Sequence, residues 1–398
     1  MKIIIEQAEL LGILKFVTEA ADKEGCTIPI LSHVIMHSGE DVLSFECSNA
    51  QQHATALCDT CDLDGTGKLT LPAKRFLNIV KQEKGRITIE KKGRGKKVSI
   101  KSDSARYKLD SLSPDEAIPC PKVAGSKTGV AMSGLVAALA KVAPEMSSDE
   151  TRPALCGVHL HKSSPHYIRV TASDGRRLAE DAVSFKKPCT VTNAIMPAKA
   201  VAIICKHVPA DADGDMTLRH NKKHMEVVWP NRILVTVLID QTFPNTEIIL
   251  APTRPLGITL TREAFAEALA KVSIMLDSNA NCAKFQIVEA KTAEAPEPVV
   301  HVLAINPILG EAVVDIVAVE LGKNTDAKKA IEYGVNPDYV LDILKVLSED
   351  KVTITWSDGQ ESGLKITEKT FTGIIMPMRL GSAENGKDKS SGTTSKDT

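Results

Sequence analysis

The chain has 398 residues, room for roughly two to four domains with real cores, and its 43% apolar and 25% charged residues exclude a disordered or collagen-like protein. Forty-nine Lys and Arg against 50 Asp and Glu leave a net charge of -1, so the chain as a whole has no basic signature of a nucleic-acid binder, although such a sum can hide local asymmetry. The Ile3-Ile4-Ile5 run is too short for a signal peptide and no segment approaches the roughly 18 apolar residues of a membrane span. Nine scattered cysteines form no disulfide framework, which predicts reduced thiols in a cytoplasmic protein.

In chain order, one plan recurs three times. Residues 6–24 place Leu10, Leu14, Val17 and Ala21 along one helical stripe, residues 30–36 have strand character, Asn49 marks a turn, and Pro72 opens a second helix. The second copy has helix 132–146 with Leu135, Val136, Leu139 and Val142, strand 155–161, a turn at Asp174 and a helix from Pro197. The third has helix 261–276 with Phe265, Ala268, Leu269 and Val272, strand 283–288, a turn at Asn306 and a helix from Pro337. The wider spacing from turn to Pro in the third copy predicts a loop insertion there. Stretches rich in Pro, Ser and Gly separate the copies, giving three α+β domains of two helices and antiparallel strands over 1–128, 129–252 and 253–380. The polar tail 381–398 is expected to be disordered.

Charge is segregated within the first copy. Residues 1–70 hold 4 basic against 11 acidic residues, whereas 71–108 hold 13 against 3. A basic region of that density attracts phosphate backbones without reading sequence, and the alternative is a solvated hairpin with Lys tips. Aromatics at 4% disfavour base stacking. Cys58-Asp59-Thr60-Cys61 lacks a second ligand pair, His159 and His161 and the His220/His224 pair read as surface or edge histidines, and Gly65-Thr66-Gly67-Lys68 lacks the rest of a phosphate loop. Asp174-Gly175 reads as a hairpin turn. No nucleophile, base and orienter can be nominated, so the expectation is a non-enzyme with no metal and no cofactor.

Several stretches carry a resemblance: Thr27-Ile28-Pro29-Ile30-Leu31-Ser32, Leu71-Pro72-Ala73-Lys74, Asp149-Glu150-Thr151-Arg152 with Leu155 and Gly157, Thr171 to Leu178, Phe243-Pro244, Tyr339 to Leu344, and Met376-Pro377-Met378-Arg379-Leu380. In these the chain closely resembles the bacterial DNA polymerase III beta subunit, the sliding clamp. The resemblance implies a head-to-tail homodimer that closes six domains into a ring, with sheets outside and helices lining a hole for double-stranded DNA. It implies DNA-facing positions at Lys74, Arg75, Lys81 and Lys199, while Gly25, Pro153 and Ala154 stand where the family has other DNA contacts. It also implies a cleft between the second and third domains that receives linear peptides from the polymerase, the clamp loader and other partners. The matching positions are Leu155, Ser173, Gly175, Arg176, Arg177, Leu178, Pro244, Ile248, Ile249, Tyr339, Ile375, Met376, Pro377, Met378, Arg379 and Leu380, with Ile248 in place of a frequent Arg. Tyr107 and Leu109 would meet Ile274 and Met275 of the neighbouring chain. The departures from the family pattern leave one alternative, a clamp-like paralogue serving as a protein scaffold with weak DNA binding.

Overall fold

A computed structural model describes residues 1–39, 42–93, 95–276, 282–288, 298–306, 308–325, 331–357 and 363–378. The tail 381–398, Arg379 and Leu380 lie outside the described residues. The described residues divide into two compact units, one of Met1–Ala251 with Thr367–Ile374, the other of Pro252–Ile366 with 375–378. Among the described residues no helix is long and apolar enough to cross a membrane.

The first helix, α1, runs over Gln7–Val17 and adds one tight turn at Thr18–Ala20, so it stops short of the predicted residue 24. The Thr18 hydroxyl donates to the Leu14 carbonyl at 2.6 Å, and Ala21 is already extended. Helix α2 spans Ala73–Gln82, α3 Met132–Val142 and α4 Ala198–His207. Helix α3 also ends early, because Pro144 falls in the tight turn Ala143–Glu145. The short α5 spans Glu247–Leu250; α6 (Arg262–Ser273) and α7 (Pro337–Val346) belong to the second unit. The predicted strands 30–36 and 155–161 begin late, at His33 and Gly157, since Pro29 and Pro153 start tight turns before them. The strand Ala283–Val288 falls as expected.

The turn landmarks share one mechanism. The side-chain oxygen of Asn49 accepts the amides of Gln51 and Gln52, Asp174 those of Arg176 and Arg177, and Asn306 those of Ile308 and Leu309. Each side chain imitates a backbone turn, which is why an Asn or Asp stands there. Only Pro337 sits inside the first helical turn, with the Asn336 side chain accepting the Asp338 amide at 2.9 Å. Pro72 and Pro197 instead sit at the N-cap position, as last residues of strands paired to His33 and Gly157.

In the first unit, Asp62–Asp64, Lys2–Glu6, Arg86–Glu90, Lys97–Lys101 and Arg106–Asp110 form a five-stranded antiparallel sheet in that order. A second sheet runs Thr128–Ala131, Asp215–His220, His224–Trp229, Arg232–Val237, Gln52–Cys58, Leu43–Ser48, His33–Ser38, Gly67–Pro72. It joins the first two repeats through the pairing of Gln52–Cys58 with Arg232–Val237. Beside that seam, buried Phe16 of α1 meets Trp229 edge-on at 5.2 Å and the Arg232 guanidinium at 5.2 Å, while Lys206 binds Glu19 at 2.5 Å. Asn193–Pro197, Gly157–Ser164, Tyr167–Ser173 and Arg177–Ser184 make a third sheet, with the Thr367–Ile374 segment alongside Arg177–Ser184.

In the second unit, Glu320–Leu321, Leu256–Thr261 and Lys351–Trp356 pair antiparallel, and a further sheet runs Gly310–Val317, Val299–Asn306, Ala283–Val288, Ile331–Val335. Helix α6 buries Phe265, Ala268, Leu269 and Val272, all four named by the periodicity, and full burial of such a side chain contributes about 1.5–3 kcal/mol for the larger ones.

Candidate nucleic-acid interface and partner surface

Helix α2 buries Ala73, Phe76 and Val80 and leaves Lys74, Arg75 and Lys81 in solvent. Lys81 lies in the last turn, where the helix dipole favours a cation, but Lys74 and Arg75 stand in the first turn, where it does not. Their charge therefore serves the surface rather than the helix. Arg75 touches Glu24 at 3.3 Å with both side chains exposed, a contact contributing about 0–1 kcal/mol and open to exchange for a phosphate. Lys199 occupies the matching first turn of α4 and is exposed. The cation of α3 does not join them: Lys141 is largely buried against Glu368 at 3.2 Å and Asp181 at 4.0 Å.

The remaining cations of the 71–108 run lie mostly on the five-stranded sheet and its turns, so the run divides between a helix face and a sheet. There Lys92 and Lys101 flank Glu90, and Arg86 reaches Glu6 and Asp62. Gly25 sits at φ +85° with no atom near its would-be Cβ. The left-handed backbone, rather than crowding, disfavours a basic side chain there.

Of the expected partner positions in the first unit, Ser173, Gly175, Arg176, Arg177 and Leu178 lie in or beside the turn between Tyr167–Ser173 and Arg177–Ser184. The Ser173 hydroxyl donates to the Arg177 carbonyl at 2.7 Å and accepts the Gly175 amide at 3.1 Å. Gly175 has φ +88°, and a Cβ there would lie 2.7 Å from Arg152 Nη1. Arg177 turns inward: its Nε meets Glu145 Oε2 at 2.6 Å and Asp174 Oδ2 at 3.0 Å, and Nη2 donates to the Pro144 carbonyl at 2.7 Å. Leu155 packs with Ile195 and Phe243, and Leu178 is buried. These two leucines are thus buried and Arg177 faces inward, whereas Gly175, Arg176, Pro244 and Ile248 are exposed and Ile249 is half-buried on α5.

Sequence reasoning did not name Arg152, Glu145, Phe243 or Asn193 as site residues. Arg152 is held by Asp149, whose carboxyl the Thr151 hydroxyl and amide, and then Arg152, keep below the usual range. Phe243 stacks on His159 at 4.6 Å, and Asn193 holds the same imidazole at 2.5 Å. Arg152 and Phe243 lie in stretches that carry the family resemblance, which was a signal for them; nothing local marked Glu145 or Asn193.

In the second unit Tyr339 is half-buried on α7, Ile375 is fully buried, and Met376, Pro377 and Met378 are half-buried, with the Met378 amide donating to the Gly334 carbonyl at 2.9 Å. Ile274 is 75% exposed just after α6, next to Met275. Tyr107 and Leu109 lie on Arg106–Asp110, the edge of the five-stranded sheet. A feature of the same kind, which the sequence reading missed, is Gly310–Val317, a second edge strand with Val313 and Val317 each 55% exposed.

The edges follow a rule. The strand after the Asn49 turn, Gln52–Cys58, pairs with Arg232–Val237, the last strand of the second repeat. The strand after the Asp174 turn, Arg177–Ser184, lies beside Thr367–Ile374 near the end of the third. The strand after the Asn306 turn is Gly310–Val317, and the last strand of the first repeat is Arg106–Asp110; each is unpaired on one side among the described residues. One edge exposes Arg106 and Lys108, the other Glu311 and Asp315. Elsewhere, Cys58 is buried and its thiol is pushed up to about 12, mainly by burial, so it is no ready thiolate. Among the described residues no cluster of three metal-ligating side chains occurs.

Family models for the DNA polymerase III beta subunit match residues 1–120 with its N-terminal domain and 130–245 with its central domain. The chain is 26% identical over 387 residues to the beta sliding clamp of Chlamydia muridarum, covering 96% of this chain and 99% of that one. It is 22% identical over 384 residues to that of Pseudomonas aeruginosa, covering 96% and 100%. Among solved structures, the Bacillus subtilis sliding clamp matches with TM-score 0.85 and 23% identity over 96% of this chain and 99% of that chain. A Pseudomonas aeruginosa clamp bound to griselimycin matches with TM-score 0.86 and 22% identity, over 96% and 100%.

Proposed function

The chain belongs to the DNA polymerase III beta subunit family, the bacterial beta sliding clamps, and from that premise we propose that two copies close head to tail around duplex DNA. It is a processivity factor rather than an enzyme, and its partners are DNA and the replicative polymerase. The observation that carries the closed ring is the strand rule. Within one chain, the strands after the Asn49 and Asp174 turns lie beside the end of the following repeat; Gly310–Val317, after the Asn306 turn, and Arg106–Asp110 are the two edges this pattern leaves over among the described residues. Pairing them between two copies, acidic edge to basic edge, repeats the same joint, and a head-to-tail contact that closes makes a ring. Tyr107, Leu109, Ile274 and Met275 would lie at that joint.

On this reading the chain comprises three domains, 1–128, 129–252 and 253–380, acting in the cytoplasm. Lys74, Arg75, Lys81 and Lys199 face the DNA through short-lived phosphate contacts that read no sequence and so permit sliding. In the first unit the exposed Gly175, Arg176, Pro244 and Ile248 take linear peptides of the polymerase, the clamp loader and other partners; in the second unit the family likeness gives the same role to Tyr339 and the 376–380 ending, with Ile375 buried beneath. Methionines suit such a site because their flexible side chains repack around different ligands. The test is topological. Light scattering should give twice 42.8 kDa, and the loaded protein should stay on nicked circular DNA but run off after linearisation. A monomer held equally by both forms would overturn the reading.

A further inference from the structure

Resting on the ring reading, we propose that Glu83 is a positioning residue for assembly, wiring the end of α2 to the edge strand Arg106–Asp110 so that Tyr107 is presented to the second copy in a fixed pose. Glu83 follows α2 directly, and its residue surface is only 6% exposed. A carboxylate is poorly placed there, because the C-terminal end of a helix already carries partial negative charge. Removal from water disfavours it further unless donors replace the lost hydration. Three hydroxyls do so: Ser102 Oγ at 2.5 Å and Ser104 Oγ at 3.0 Å on Oε2, and Tyr107 OH at 2.5 Å on Oε1.

The serines belong to the turn between Lys97–Lys101 and Arg106–Asp110. Ser102 Oγ also accepts the amides of Ser104 and Ala105, and its own amide donates to the Ala105 carbonyl. One carboxylate thus fixes the turn and the first residues of the edge strand. The Ser102 hydroxyl, then that of Tyr107, hold the Glu83 carboxyl below its usual range, while Glu83 pushes the Tyr107 phenol up. At neutral pH the acceptor is therefore ionised and the donor protonated.

An edge strand has a neighbour on one side only and loses conformational freedom when a partner adds to it. Restraining its start beforehand moves that entropy loss from assembly into folding. The same bond keeps the Tyr107 hydroxyl satisfied, so the ring can enter an interface without an unpaired polar group. Glu83 also stands just beyond Lys81, so its hydrogen bonds tie the end of the helix proposed to face DNA to the edge strand.

The test compares full-length wild type with Tyr107→Phe, Glu83→Gln and Glu83→Ala by sedimentation velocity over a dilution series. Tyr107→Phe keeps the aromatic ring and removes only the hydroxyl. It and Glu83→Ala should raise the dimer dissociation constant about tenfold, with a smaller rise for Glu83→Gln, which retains an acceptor. Amides 106–110 of the diluted variants should exchange hydrogen faster. Variants that melt at lower temperature yet dimerise like wild type would show a merely structural role and overturn the proposal, leaving the ring reading intact. A wild type monomeric at every concentration would overturn both.

Discussion

Arg177 and Glu145 show how the turn at Asp174, which we propose as part of a partner surface, is held from beneath by an ion pair. Glu145 is 1% exposed and Arg177 is turned inward to it, with Asp174 and the Pro144 carbonyl also bonded to the guanidinium, the kind of added bonding that a buried ion pair needs. Arg177→Ala should destabilise the first unit by about 3–5 kcal/mol in urea unfolding, since it strands a buried carboxylate. Adding Glu145→Gln should restore part of the loss; a purely additive double variant would deny the pairing. Asp174 was legible as a turn residue from its neighbours alone. Arg177 was legible only through the family resemblance, because its partner comes from a different turn.

At the scale of elements, the helices separate charge by purpose. Replacing Lys74, Lys81 and Lys199 by Ala should weaken DNA binding equally across sequences and make the salt dependence shallower, by about one in the log–log slope for each phosphate left without its cation. Lys141→Ala should leave that slope unchanged, its ammonium being engaged by Glu368 and Asp181. The strand edges make a complementary prediction. Glu311→Lys with Asp315→Lys should raise the dimer dissociation constant at low salt by about tenfold, and Arg106→Glu with Lys108→Glu on the other edge should restore it. Failure of the paired reversal to restore dimerisation would separate these two edges. Helix faces were legible because burial follows a period of 3.6 residues; helix ends were not, because single prolines and Thr18 decide them through local hydrogen bonds.

At the scale of the whole molecule, a net charge of -1 says little about binding DNA, because a ring needs cations only on the wall that faces its hole. The sequence by itself determined the apolar stripes of α3 and α6 and the Asn49, Asp174 and Asn306 turns. All of these depend on near neighbours, through side-chain periodicity and short-range bonds between side chain and backbone. Tertiary structure alone decided that the basic 71–108 run splits between a helix and a sheet, that Leu155 and Leu178 are buried while Arg177 turns inward, and that Gly310–Val317 is an open edge among the described residues. Those outcomes depend on which strands pair and which carboxylates meet which cations across long stretches of chain, and no local pattern of residues encodes a partner that far away.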